Sequence, residues 1–366
     1  MDRPDTSFEP RTEFGVLIPE GIPKMRCLLL SVLPLLFSCG CATSHETLTH
    51  GDEKLRQPQG IVLPPGWPEN TDETGGGRHW AAQGVKVFVL GNAQDGGLPH
   101  VGCLKQCCES ARENGRKLGP ACLAVVDMVK RKALLLEATP AIEEQLAMIR
   151  FASEPRRPVE GILLTHAHIG HYTGLMHLGR EVASTQSTPV HCTPRMAQFL
   201  ETNGPWDQLV KLDQIELKVL EPGETRVLDD FRIKITPVLV NHRHEYADTV
   251  AWRIESPSRT VVFCPDIDRW NGDILERLIE GADVCYLDAT FYDGRELPGR
   301  DLSEIPHPPM VETMNRLSAE ALNNPGRFRF IHMNHTNPAL HDEDIREEVR
   351  KRGFGIAEIG ESFYLD

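Results

Sequence analysis

The stretch LLTHAHIGHYTGL, residues 163–175, ends an apolar run with His166, His168 and His171 inside six positions. Side chains at i and i+2 of an extended segment point the same way, and a turn into the next helix brings a third imidazole back toward them. Grouped imidazole nitrogens are metal ligands, and a divalent ion so held keeps a position open for water or a substrate oxygen. The pattern continues downstream. His242 in LVNHRHE, Asp266 in FCPDID and His335 in HMNHTNP each stand at or just after the C-terminal end of an apolar strand. One histidine on a strand is ordinarily a core or surface residue, whereas a ligand-type residue repeated at four strand ends reads as a metal centre.

The elements that must position these residues follow from periodicity. GVKVFVLGNA (84–93), CLAVVDM and KALLLEAT are strands. A helix from about Pro140 to Phe151 has acidic residues in its first turn. EGILLTH is a buried strand, TGLMHLGREV is helical, and TPVHCTP is a short strand before a helix at Arg195 to Thr202. QIELKVLE, FRIKITPVLVNH, DTVAWRIES and RTVVFCPD are consecutive strands, followed by a helix from Asn271 to Glu280 and the strand ADVCYLDAT. One helix from Pro309 to Asn323, the strand RFRFIHMN, the charged helix HDEDIREEVRKRG and GIAEIGESFYLD complete the chain. Helices on both faces of two strand groups make a four-layer αββα sandwich, an α/β fold, over residues 84–366.

Among 366 residues, 40% are hydrophobic and the net charge is −14, which permits a real core and argues against a broad nucleic-acid surface. Upstream of the domain, Met25-Arg26 precedes the apolar run at 27–37, and small residues follow. That arrangement reads as a signal peptide with Met25 as the true start. A transmembrane helix needs about 20 apolar residues, more than the run supplies. LFSC is similar to a bacterial lipobox, with Cys39 as the residue that takes lipid and Cys41 as a second candidate. Residues 1–41 are therefore an upstream extension and export segment, and 42–83 a flexible tether. The expectation is an exported, lipid-anchored periplasmic or outer-membrane protein, or a cytoplasmic one if the Met25 signal is not used.

The run HAHIGH resembles the H-x-H-x-D-H hallmark of the metallo-β-lactamase superfamily, with Gly170 where that family has aspartate. LGNAQDGGLPHVGC, EATPAIEEQL, NHRHEYADTVAWRI and MNHTNP resemble its pyrroloquinoline quinone biosynthesis protein B branch, itself similar to the phosphodiesterase and tRNA-processing branches. The resemblance implies a first metal on His166, His168 and His242, and a second on His171, His335 and a bridging Asp266. Glu137 and Asp288 are the acids expected behind these ligands, and His177, His244 and His332 are supporting or surface groups. Gly170 then deprives the second site of an anionic ligand, so its affinity should fall and Gly170→Asp should raise the metal content. The metal is zinc, as one or two ions, with iron or manganese also suited to histidine and carboxylate. His307 ends the loop GRDLSEIPHPP, which resembles one carrying a catalytic histidine in the phosphodiesterase-like branches; the alternative is a helix-capping or surface residue. Near its ordinary pKa of about 6.5, such a histidine can protonate a leaving oxygen.

Related branches carry a C-x-C-x-x-C structural zinc site where this chain has Cys103, Cys107 and Cys108, with Lys105 in the middle position and His100 as a candidate fourth ligand. In an exported protein a disulfide is the competing reading. Cys122, Cys192, Cys264 and Cys285 read as core residues. The expected function is hydrolysis of a small phosphoester, ester or lactone through a metal-activated water, with Asp266 and His307 as the catalytic groups. The alternatives are a redox role in quinone-cofactor biosynthesis with iron, and a non-catalytic metal-binding protein. The expected partner is a small-molecule substrate.

Overall fold

Runs such as CLAVVD, KALLL, TVVFC and VCYLD show no polar–apolar alternation because the sheets that hold them are covered on both faces. A computed structural model describes residues 84–149, 156–301 and 304–366. The export segment, its candidate lipid site at Cys39 or Cys41, and the tether lie outside these residues. Strands β1 (Val85–Gly91), β2 (Cys122–Asp127), β3 (Lys132–Leu136), β4 (Gly161–Leu163), β5 (Thr188–Cys192) and β6 (Ile215–Val219) form the first sheet. Strands β7 (Arg226–Leu228), β8 (Ile233–Val240), β9 (Thr249–Glu255), β10 (Thr260–Cys264), β11 (Val284–Asp288), β12 (Phe328–Ile331) and β13 (Gly355–Ile356) form the second. Strand β14 (Ser362–Tyr364) returns to the first sheet beside β1, so that each sheet is seven-stranded.

Odd-numbered Leu123 and Val125 of β2 face the second sheet, while Cys122, Ala124 and Val126 face the helices outside. On the other side, Val261 and Phe263 of β10 face inward and Val262 and Cys264 outward. These faces build three apolar layers, and the expected four-layer αββα sandwich is the fold. Fully burying one such aliphatic side chain stabilises by roughly 1.5–3 kcal/mol. One buried ion pair crosses the central layer: Arg329 on β12 donates through Nε to Glu361 Oε1 at 2.8 Å, beside the Tyr286 hydroxyl. Trp252 on β9 donates its indole N–H to the carbonyl of Leu164 at 3.1 Å, which ties the second sheet to the segment entering the histidines.

Several elements differ from expectation. TGLMHLGREV begins as a 3₁₀ turn over Thr173–Leu178 that follows a short helix, Ile169–Tyr172. The helix expected from Pro309 to Asn323 is two, Met310–Arg316 and Ser318–Asn323, because Leu317 between them has left helical geometry (φ −103°, ψ 15°). The short β7 and a helix at Trp206–Lys211 carry no strong periodicity and were not expected. Among the described residues no helix is long and apolar enough to cross a membrane.

Candidate metal centre

Strands β3, β4 and β5 run parallel, as do β10, β11 and β12, so their C-terminal ends emerge along one edge of each sheet. The two edges are joined there by backbone: Val250 N–H donates to the Thr165 carbonyl at 3.1 Å, and Ala93 pairs with Met333. Every residue of the centre sits on a segment leaving this edge.

The first ligand set is His166, His168 and His242, whose donor nitrogens lie within 4.8 Å of one another. His166 Nε2 is 2.8 Å from His168 Nδ1. Each ring has its other nitrogen engaged. The Thr165 hydroxyl donates to Glu137 Oε1, so it must accept from His166 Nδ1–H at 2.8 Å. His242 Nδ1–H donates to Asp268 Oδ1 at 2.8 Å, and His168 Nε2–H to Glu245 Oε2 at 3.1 Å. Such outer contacts fix the tautomer that leaves the inner lone pair for a metal. His242 Nε2 is buried with no hydrogen-bond partner, as a ligand atom facing a metal position would be.

The second set departs from the expected one. His171 and Asp266 are present, with His171 Nε2 2.9 Å from Asp266 Oδ2. His335 is not. Its place is taken by His332, whose Nε2 lies 3.3 Å from both Asp266 Oδ2 and Asp95 Oδ1. The backbone explains the exchange: His332 stands in the left-handed region (φ +65°) directly after β12, which turns its ring into the centre. Glu137, directly after β3, has φ +83° for the same reason on the other side. Such backbone costs of order 1–3 kcal/mol per residue and persists where the surroundings fix it. The His332 ring is held by a second relay, with Nδ1–H donating to Thr290 Oγ1 at 2.9 Å and that hydroxyl donating to Asp288 Oδ1 at 2.8 Å.

Asp288 also accepts from His307 Nδ1–H at 2.8 Å. His307 is buried, not a surface group, and its ring stands 5.4 Å from that of His242 and 5.9 Å from that of His332. Asp288 occupies Nδ1, which leaves Nε2 as the ring's other nitrogen. Of the other expected supporting histidines, His177 lies in the 3₁₀ turn at Thr173–Leu178 and His244 is exposed.

The field at the centre calls for a cation. Burial would lower the His171 pKa, but Asp266, Glu137 and Asp95 outweigh it and hold it well above the ordinary value. Burial likewise opposes ionisation of Asp95 and Asp266, yet the imidazoles around them keep both carboxyls well below the usual range. His307 is raised, because Asp288 and Asp266 outweigh its burial. Burial pushes Glu137 up. Asp266 Oδ2, though close to two imidazoles, accepts no aligned hydrogen bond. Ions shared among five imidazoles and two carboxylates would answer the buried groups that lack aligned hydrogen bonds, so the residues fit the expected metal.

Asp95 has no place in the expected site, and it overturns the expectation for Gly170. Its Oδ1 is 3.0 Å from His171 Nε2, beside the position the missing carboxylate would fill. A Cβ on Gly170 would come within 2.3 Å of Asp95 Oδ1 and 2.6 Å of its Cα. Gly170→Asp is therefore expected to clash with the centre and not to raise its metal content. The sequence signal for Asp95 was a lone acid in the glycine-rich LGNAQDGG, paired with an unexplained glycine in HAHIGH.

A second cluster joins the segment after β1, which includes a helix at Gln106–Glu113, to the turn after β12. Cys103, Cys107, Cys108 and His335 place their donor atoms within 4.8 Å of one another. His335, and not His100, is the fourth member; His100 packs beside it with ring centroids 4.5 Å apart and donates Nδ1–H to the Val101 carbonyl at 2.9 Å. Burial and the neighbouring His100 hold His335 down at about 4, so its lone pair is free at neutral pH, and its Nδ1 is buried without a partner. The three cysteines are free thiols, with Cys107 and Cys108 Sγ 4.0 Å apart, and no disulfide joins them. Tetrahedral thiolate–imidazole donors suit structural zinc. Cys122, Cys192, Cys264 and Cys285 are buried in the apolar layers, as expected.

The family model of the Beta-lactamase superfamily domain matches residues 132–333. The chain is 27% identical to the Coenzyme PQQ synthesis protein B of Methylobacterium nodulans over 312 residues, which cover 77% of this chain and 100% of that one. The structure of Zn(2+)-bound PqqB from Methylobacterium extorquens matches with a TM-score of 0.65 at 22% identity, covering 76% of this chain and 99% of that one. A diphosphatase from the PhnP family matches with a TM-score of 0.57 at 20% identity, over 76% and 96%. The matched domain spans more than half of the sequence, and the chain belongs to the metallo-β-lactamase superfamily, in which it is similar to PqqB proteins.

Proposed function

We propose that this chain is a metal-dependent hydrolase of a small phosphoester, ester or lactone. The observation that carries the reading is the pair of ligand sets meeting at Asp266, with His307 set beside them on Asp288. A divalent ion held there would act as a Lewis acid and lower the pKa of a bound water from about 15.7 to about 7. Asp266 holds the two sets in register. His307 carries a proton at Nε2 toward a leaving oxygen, while Asp288 fixes its ring. Glu137 and Asp288 orient His166 and His332 through Thr165 and Thr290. The thiol cluster would hold zinc as a structural clasp on the loop that carries Asp95. The same reading keeps the export segment, with lipid on Cys39, to be tested by mass spectrometry of membrane-extracted protein.

The test is a panel of chromogenic phosphodiesters, esters and lactones offered to protein loaded with zinc, manganese or iron. Turnover that disappears in His166→Ala supports hydrolysis, and no turnover of any class with a fully loaded centre defeats it. Relatives named for coenzyme PQQ synthesis favour a second reading, a redox role in quinone-cofactor assembly. Oxygen consumption by the iron-loaded protein, without hydrolysis, is the result that would select it.

A further inference from the structure

Asp95 and Gly170 are 75 residues apart in sequence and share one space. Asp95 leaves the end of β1 on a loop pinned by backbone on two sides. Gln94 N–H donates to the Met333 carbonyl at 2.8 Å, and Ala93 N–H to Gly119 at 3.0 Å. The first of these bonds attaches the loop to the residue next to His332. The carboxylate therefore projects between the histidines of both sheets, 3.0 Å from His171 Nε2 and 3.3 Å from His332 Nε2. With Asp266 these residues supply two imidazoles and two carboxylates. Asp266 Oδ2 is buried at their centre, 2.9 Å from His171 Nε2 and 3.3 Å from His332 Nε2, and accepts no aligned hydrogen bond. Any side chain on residue 170 would occupy the volume of Asp95 itself, including its backbone Cα.

We propose that Asp95 is the anionic ligand of a second metal ion, moved from the helix position that Gly170 occupies to the loop after β1. Gly170 is bare because Asp95 fills its space, and the centre is dinuclear despite the glycine in HAHIGH. The inference rests on the metal-centre reading above and adds to it the number of ions and the residue that holds the second.

Manganese is the probe, because its preference for nitrogen and oxygen keeps it off the thiol cluster. The full chain, stripped and reloaded, is expected to show the paramagnetic resonance spectrum of an exchange-coupled pair. Asp95→Asn preserves shape and removes charge, and is expected to leave a single uncoupled ion. Gly170→Ala keeps every ligand yet sets a methyl against Asp95, and is expected to give the same spectrum. The two changes together should cost no more than either alone, because both remove one contact. Circular dichroism checks folding, and Asp95→Asn alone decides if Gly170→Ala does not fold. A coupled pair persisting in Asp95→Asn overturns the inference, and so does a single uncoupled ion in the parent. A parent that takes up no ion overturns the metal-centre reading itself.

Discussion

The centre is assembled from two halves built to one plan on opposite sheets. In the first, Glu137 accepts from Thr165, Thr165 accepts from His166, and the acid also lies 3.3 Å from His171 Nδ1. In the second, Asp288 accepts from Thr290, Thr290 accepts from His332, and the acid also accepts from His307. The halves differ in what the acid's second partner does. His171 points its other nitrogen at Asp266 and Asp95, so Glu137 serves ligands only. His307 also comes within 4.8 Å of Asp266 and His332, but is proposed as a proton carrier, so that Asp288 would serve one ligand and one proton carrier. Under the proposed function, the first half holds charge and the second also moves it.

Asp266 belongs to both halves, and its removal should have the largest effect. Asp266→Ala is expected to empty both sets and to lower turnover by at least about 10³-fold, since an ion supplies several kcal/mol of barrier reduction. Metal analysis beside kinetics checks it, and retention of either ion would show that the halves are independent.

Next comes the asymmetry. His307→Ala should lower kcat by about 10²- to 10⁴-fold on substrates with poor leaving groups, with metal content unchanged. A nitrophenolate ester or diester needs little protonation and should lose much less. Equal losses on both would make His307 a binding group and erase the difference between the halves.

The threonines give a smaller, paired effect. Thr165→Val and Thr290→Val each interrupt a relay, and each should weaken metal binding by about 10- to 100-fold. Only Thr290→Val should also change the dependence of rate on leaving group, because only Asp288 has His307 as its second partner. The smallest effect tests the tie between the sheets. Trp252→Phe removes the bond to Leu164 and should cost about 0.5–1.5 kcal/mol in denaturant unfolding while leaving metal binding intact.

The strands were legible because β-branched apolar runs bounded by turn residues have few other uses, and the first ligand set was legible because its histidines directly end such runs. The second set was not, for two physical reasons. His332 and His335 both follow β12, and nothing in their spacing tells which one the chain turns inward; a left-handed residue decides it, sending His335 to the thiols. Asp95 and Gly170 meet only through the tertiary fold, so a gap in one motif and an acid in another look unrelated in one dimension. The break at Leu317 was hidden because the apolar pattern continues across it.

The two left-handed residues of the metal centre, Glu137 and His332, bear on how this protein would respond to selection in the laboratory. Glycine or asparagine at either position would relax the backbone, and at 137 would also remove a buried acid. A population screened for heat resistance should therefore drift toward small residues at both positions, and one screened for turnover should hold them fixed. Sequencing the survivors of the two regimes would read the cost of the site directly as opposing substitution frequencies at 137 and 332.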